Sequence, residues 1–209
     1  MGGIRGLDDD GKVDLPWRLV AEQAGGGLIM DVGCHVIDRI DYLCGPLVNV
    51  SGAAKKYNSP SQDVEDYVQL RAEIGNCDWG AVESAGATVE CTWDFGWTGG
   101  SVDEFVITGT KGSISMVGMS PYLPITLKGN DGEILKELTF EAPEHTAQSM
   151  IQLVTDDILN SSRNSGNVVS LADNAIRTSL VLDTILDKYY GGRSEEFWKR
   201  IDSWPGVQS

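Results

Sequence analysis

Residues 25–45 read GGGLIMDVGCHVIDRIDYLCG, and the period of their apolar side chains decides how the rest of the chain is read. Ile29, Val32, Val36, Ile40 and Leu43 recur at steps of 3, 4, 4 and 3, one stripe at helical period. A helix is predicted over residues 27–43. Gly45-Pro46 closes it, a glycine at the C-terminal side and a proline that cannot continue the turn. At roughly 100° per residue, Asp31, His35, Asp38 and Tyr42 gather on the side away from the stripe. Gly25, Gly26 and Gly27 permit unusual dihedrals and close backbone approach at the helix entrance. They also leave N–H groups at a positive helix end, which suits an oxygen-rich ligand.

Working outward, the period changes. Residues 48–57, 65–74, 80–93, 104–108, 113–117, 125–128 and 134–140 read as strands. Turn signals separate them: Asn58-Ser59-Pro60, Gly75-Asn76, Gly99-Gly100, Lys111-Gly112 and Gly129-Asn130-Asp131-Gly132. Loops this short favour antiparallel pairing. Helical period returns over residues 145–159 and 171–190, where Gly191-Gly192 stops it. The last residues, 193–206, suggest a short helix and a strap. One helix, a run of strands, then helices predicts an α+β fold: an open, mostly antiparallel β-sheet with helices packed on one face. Residues 1–15 read as an N-terminal strap and residues 16–209 as one α+β domain.

The chain has 209 residues, 31 acidic and 16 basic, for a formal charge of −15. That balance repels phosphate backbones and anionic lipid, so nucleic acid and membrane are excluded as expected partners. Cys34, Cys44, Cys77 and Cys91 form no CxxC pair and no zinc-type spacing, so free thiols in a reducing compartment are expected. No secretory or transit signal and no membrane-length apolar run is present, which predicts a cytoplasmic protein unless a leader was lost with a missing N-terminus.

Asp31 and His35 stand at i and i+4, close enough to interact directly or to address one small ligand. A carboxylate beside an imidazole holds its tautomer and raises its basicity, which makes a general base. The same spacing also fits an ordinary solvated polar face, or a chelating set with Asp38. Periodicity does not choose among these. Cys34 is adjacent to His35 and diverges from it by roughly 100° around the helix, which argues against a thiol–imidazole pair. His145 reads as a capping or exposed histidine, Lys55-Lys56 as exposed sheet positions, and Trp79, Trp93, Phe95 and Trp97 as packing for a sheet or an interface.

Residues 17–45, WRLVAEQAGGGLIMDVGCHVIDRIDYLCG, resemble the signature of the Gfo/Idh/MocA oxidoreductases: Trp-Arg, then Gly-Gly-Gly, then Asp-x-Gly-x-His-x-x-Asp on a helix. Residues 103–116, DEFVITGTKGSISM, are similar to the family's strands around a Gly-Thr-x-Gly turn, and residues 177–190 to its C-terminal helix. The resemblance covers nearly all of residues 16–205. It implies the C-terminal domain of such an enzyme, of the glyceraldehyde-3-phosphate-dehydrogenase-like C-terminal type. It implies that His35 is the acid/base that takes a hydroxyl proton from a sugar or polyol as hydride leaves for a nicotinamide. Asp31 would orient His35 and hydrogen-bond substrate. Trp17 and Arg18 would contribute to substrate binding.

The departures from the family pattern are as informative. No strand–GxGxxG–helix unit occurs, and the family's Glu-Lys-Pro segment is absent. The expected identity is therefore the substrate-binding and dimerisation half of an NAD- or NADP-dependent oxidoreductase acting on a CH–OH group. Its Rossmann domain would be missing, through a truncated reading frame or a trimmed chain. By itself the chain is expected to bind no dinucleotide and no metal and to be inactive. A homo-oligomer through an apolar sheet face is the expected assembly. The rival reading, from a different functional class, is a non-catalytic assembly or carbohydrate-binding module derived from the same family.

Overall fold

The computed structural model describes residues 5–7, 13–14, 17–57, 63–79, 84–96, 99–119, 123–141, 143–159, 168–169 and 171–192. The chain enters through β1 (Arg5–Leu7) and β2 (Val13–Asp14), an antiparallel pair, then a 3-10 turn at Trp17–Leu19 and the short helix α1 (Ala21–Ala24). A π turn at Ile29–Gly33 runs directly into α2 (Cys34–Cys44). The strands β3 (Leu47–Lys55), β4 (Tyr67–Ile74) and β5 (Thr88–Asp94) follow, then β6 (Phe105–Gly109), β7 (Gly112–Met116), β8 (Ile125–Gly129) and β9 (Ile134–Leu138). Helices α3 (Gln148–Leu159) and α4 (Ala172–Tyr190) complete the order. The expected turn at residues 58–60, the start of the 80–93 strand, Trp97 and the 193–206 tail lie outside the described residues, as does most of the 1–15 strap.

This is the predicted α+β architecture. Every described strand pairing is antiparallel, in the orders β1-β2, β3-β4-β5 and β6-β7-β8-β9. The chain divides into two compact units, Met1–Gly99 with Asp173–Ser209, and Gly100–Ala172.

In the first unit, β4 alternates buried and exposed along its length. Val68, Leu70, Ala72 and Ile74 point inward, while Gln69, Arg71 and Glu73 point outward. Register carries the same face across the sheet: Val68 lies opposite Ala54 and Trp93, Leu70 opposite Gly52 and Cys91. Onto this face pack Ile29, Ile37, Val181, Leu182, Ile185, Leu186 and Tyr190, which form the core with it. Burial pushes the Cys91 thiol up to about 11, as expected of a thiol held in such a core.

The outward face of that sheet is largely polar. Ser51, Gln69, Arg71, Glu73, Glu90 and Thr92 line it, with Arg71 Nη2 3.1 Å from Glu90 Oε1. In the second unit, the hairpins expected at Gly109–Gly112 and Gly129–Gly132 are present. There, alternation places Phe105, Ile107, Ile114, Met116, Ile125 and Leu127 on one side of the four-stranded sheet.

The helix that sequence period placed at residues 27–43 is helical from Leu28 to Cys44. Its buried line is not the predicted one. Ile29, Gly33, Ile37, Ile40 and Cys44 are buried, whereas Val32, Val36 and Leu43 are half-buried. A π turn closes i to i+5, here with the Cys34 N–H donating to the Ile29 carbonyl. Its wider ring takes up an extra residue and turns the following face by part of a step. Gly45, at φ 120°, ends the helix with its N–H on the Asp41 carbonyl at 3.0 Å, as Gly-Pro predicted.

Candidate active site on the second helix

The residues that carry chemistry stand on and before the π turn. Asp31 lies within it and His35 in the first turn of α2. His35 is exposed, and Asp31 is half-buried. Arg18, from the 3-10 turn, pairs its Nε with Asp31 Oδ2, and its guanidinium lies over the Trp17 ring at 4.5 Å from the centroid. Trp17, Arg18 and Asp31 therefore form one chain of contacts on the surface. A partly exposed pair of this kind adds little stability, so its value lies in orientation.

The spacing left two options for Asp31 and His35, direct contact or a shared ligand. Among the described residues no hydrogen bond or ion pair joins them; the Asp31 carboxylate is turned to Arg18. Asp38 accepts from the Thr178 hydroxyl at 3.4 Å. Among the described residues no three His, Cys, Asp or Glu side chains converge as a metal would require. Cys34 is not set up as a nucleophile either. Its Sγ faces the Asp31 carbonyl at 3.4 Å, and burial, ahead of the nearby Asp31 charge, raises its pKa.

The glycine-rich entrance is where structure and expectation part. The Gly27 N–H does not await a ligand; it donates to Glu65 Oε2 at 3.0 Å. A Cβ on Gly27 would come within 2.5 Å of Glu65 Oε1 and 2.6 Å of the Glu65 carbonyl oxygen, so glycine is required by this close approach. Tyr190, at the end of α4, donates its hydroxyl to the same Oε2. The Ile29 amide also faces the carboxyl group. The helix end suited to an anion is thus filled from within the chain. A dinucleotide's phosphates do not fit a glycine loop already closed on a buried carboxyl group.

Glu65 was missed by sequence reasoning, which saw only a strand beginning there. The available signal was Val64-Glu65-Asp66, two carboxylates set directly ahead of an alternating strand and beside a valine. Glu65 is fully buried, and burial raises its pKa above the usual carboxylate value against the opposing pull of its hydrogen bonds. A carboxyl group whose folded pKa lies above its unfolded value adds stability in its protonated form, fully present below the unfolded pKa and lost as pH rises through the folded one. Wild type is therefore expected to lose stability relative to Glu65→Gln between the usual glutamate value and neutrality. Urea midpoints of both proteins across that range check it; parallel curves would refute it.

The remaining candidates have structural tasks. The His145 carbonyl accepts the Gln148 N–H at the start of α3, in the second unit. Lys55 Nζ lies 3.5 Å from the Tyr57 hydroxyl. Trp93 and Phe95 pack against the core, and Trp79 donates its Nε1–H to the Asp41 carbonyl. The four cysteines are free thiols.

The sequence model of the GFO/IDH/MocA C-terminal domain matches residues 5–115, more than half of the chain. The chain belongs to that family. An oxidoreductase of Formosa agariphila is 28% identical over 162 residues, 77% of this chain and 45% of its own length. Among solved structures, an oxidoreductase from Agrobacterium radiobacter in complex with NAD+, L-tartaric acid and magnesium has a TM-score of 0.60 at 18% identity, covering 91% of this chain and 54% of that one. Levoglucosan dehydrogenase in complex with NADH and levoglucosan has a TM-score of 0.59 at 19% identity, covering 84% and 51%. The chain spans about half the length of these relatives. No helix among the described residues is long and apolar enough to cross a membrane.

Proposed function

We propose that this chain is the substrate-binding half of an NAD(P)-dependent oxidoreductase acting on the CH–OH group of a sugar, polyol or related small molecule. The observation that carries the reading is the exposed His35 one turn beyond Asp31, with Arg18 paired to that aspartate and lying over the Trp17 ring. In this reading an imidazole nitrogen of His35 takes the proton of the substrate hydroxyl. Asp31 and Arg18 offer an acceptor and a donor side by side, a pairing that suits neighbouring hydroxyl groups. Trp17, half exposed, adds an apolar face against which a sugar ring can rest.

The cofactor belongs to the other half of the enzyme, because the loop that might have taken it is closed by Glu65. A cytoplasmic enzyme, self-associating through a sheet and joined to a Rossmann domain, completes the proposal. Related structures support the reading: one is a complex with NAD+, L-tartaric acid and magnesium, another a complex with NADH and levoglucosan.

The test compares turnover of the full-length protein carrying this chain with its His35→Ala variant, over a panel of sugars and polyols with NAD+ and NADP+. Loss of about a hundredfold or more is expected from removing a general base. The 209-residue chain assayed alone should show no turnover. Unchanged turnover in His35→Ala would overturn the assignment and favour a non-catalytic module.

A further inference from the structure

We propose that Glu65 is a positioning residue that fixes where His35 stands, by holding the entrance of the helix that carries it. The inference rests on reading His35 as the proton-handling group. It concerns a residue 30 positions away in sequence that is fully buried.

The geometry has three parts. Glu65 Oε2 receives two donors, the Gly27 N–H at 3.0 Å and the Tyr190 hydroxyl, so one atom ties the helix entrance to the end of α4. Its other oxygen, Oε1, is pressed against Gly27 and has no hydrogen-bond partner among the described residues. A buried carboxyl oxygen is costly to leave unsatisfied, so this contact is held by the surrounding structure rather than by chance of surface solvation. Finally, Gly27 is followed at once by Leu28 and the π turn, whose second anchor is Ile29, fully buried against Gly33.

A π turn carries one residue more per ring than an α turn, so it offsets the helix face beyond it from the face before it. Here the inner end is Ile29, and Glu65 holds the residues just before it. Between those anchors and α2 lie Asp31 and His35. Releasing Glu65 lets the turn relax toward regular α geometry, which would swing the His35 side chain around the helix axis by part of a residue step. Burial of Ile37, Ile40 and Cys44 fixes the far end of the helix, so the movement falls on the residues at its start.

The chain has two histidines, His35 and His145, so a histidine-labelled sample gives two ring Cε1–H signals, and His35→Gln assigns them. In Glu65→Ala the His35 signal is expected to shift by more than that of His145, whose turn belongs to the other compact unit. Glu65→Gln should restore the wild-type position, because its amide oxygen can still accept from Gly27 and Tyr190. A purely structural role would lower the unfolding midpoint yet leave the folded spectrum unchanged, and that result overturns the proposal. Should Glu65→Ala not fold, Tyr190→Phe decides: a shifted His35 signal supports the proposal and an unmoved one overturns it. The outcome is separate from the turnover assay. Full turnover in His35→Ala removes the catalytic reading without touching the spectrum, and an unmoved signal removes the positioning role without restoring turnover.

Discussion

Replacing Arg177 by Ala is expected to cost the chain about 3–5 kcal/mol, because it strands a carboxylate in the interior. Arg177 reaches from α4 to α2 and grips Asp41 with two parallel hydrogen bonds, Nε to Oδ2 at 2.7 Å and Nη2 to Oδ1 at 2.6 Å. The Asp41 side chain is 4% exposed and the Arg177 side chain 31%, so the acid has no solvent to fall back on when the cation goes. The fork geometry is set further by Trp79. Its ring lies under the guanidinium, 4.7 Å from Cζ to centroid, and its Nε1–H holds the Asp41 carbonyl at 3.2 Å. Lysine at position 177 keeps the charge and loses the fork, so Arg177→Lys should fall between wild type and Ala. The double variant Asp41→Ala/Arg177→Ala should recover part of the loss, since no charge is then left unpaired. Urea unfolding of the four proteins measures this. A loss below about 1 kcal/mol in Arg177→Ala would class the pair with exposed salt bridges and refute the argument.

That pair also shows what was legible in the sequence and what was not. The helix at residues 28–44 could be placed because its signals are local: apolar residues at helical steps and Gly45-Pro46 behind them. The strands were legible for the same reason, since alternation and turn residues act within a few positions. Asp31, His35, Arg18 and Trp17 could be named because they fall within nineteen residues of one another. Asp41 and Glu65 could not. Their partners lie 136 and 125 residues downstream, at Arg177 and Tyr190, and no period of 2 or 3.6 encodes a pairing at that range. The π turn escaped for a subtler reason. A stripe read as Ile29, Val32, Val36, Ile40 and Leu43 and a line buried as Ile29, Gly33, Ile37, Ile40 and Cys44 part by one position at three of their five members, and a glycine at the first of these hides the shift by counting as neither apolar nor polar. The Gly27 N–H of the glycine entrance, expected to face an oxygen-rich ligand, donates instead to Glu65, a partner 38 residues downstream.

Replacing Ile185 by Ala should destabilise the chain by about 2–5 kcal/mol, the usual range for truncating a large core residue that leaves a cavity. Ile185 is 1% exposed and lies over β3 at Gly52, where a Cβ would come within 2.7 Å of its Cγ2. The absent side chain on Gly52 is what lets α4 approach the sheet this closely, and Ile185 fills the space so created. Around it stand Val68 and Leu70 from β4 and Val181, Leu182 and Leu186 from its own helix, all buried, so no flexible surface group can move in to fill the gap. The comparison that makes the prediction specific is Ile176→Ala on the same helix. Helical period alone gives both isoleucines equal apolar character. Ile176 and Leu180 are 57% and 59% exposed, however, because the buried side of α4 runs through Thr178, Val181, Leu182, Ile185, Leu186 and Tyr190. Ile176→Ala should therefore stay within about 0.5 kcal/mol of wild type. Equal losses at positions 176 and 185 would mean that α4 is seated on the sheet by its other side. That would displace Arg177 and Tyr190 together, and with them two of the long-range ties that hold the helix bearing His35.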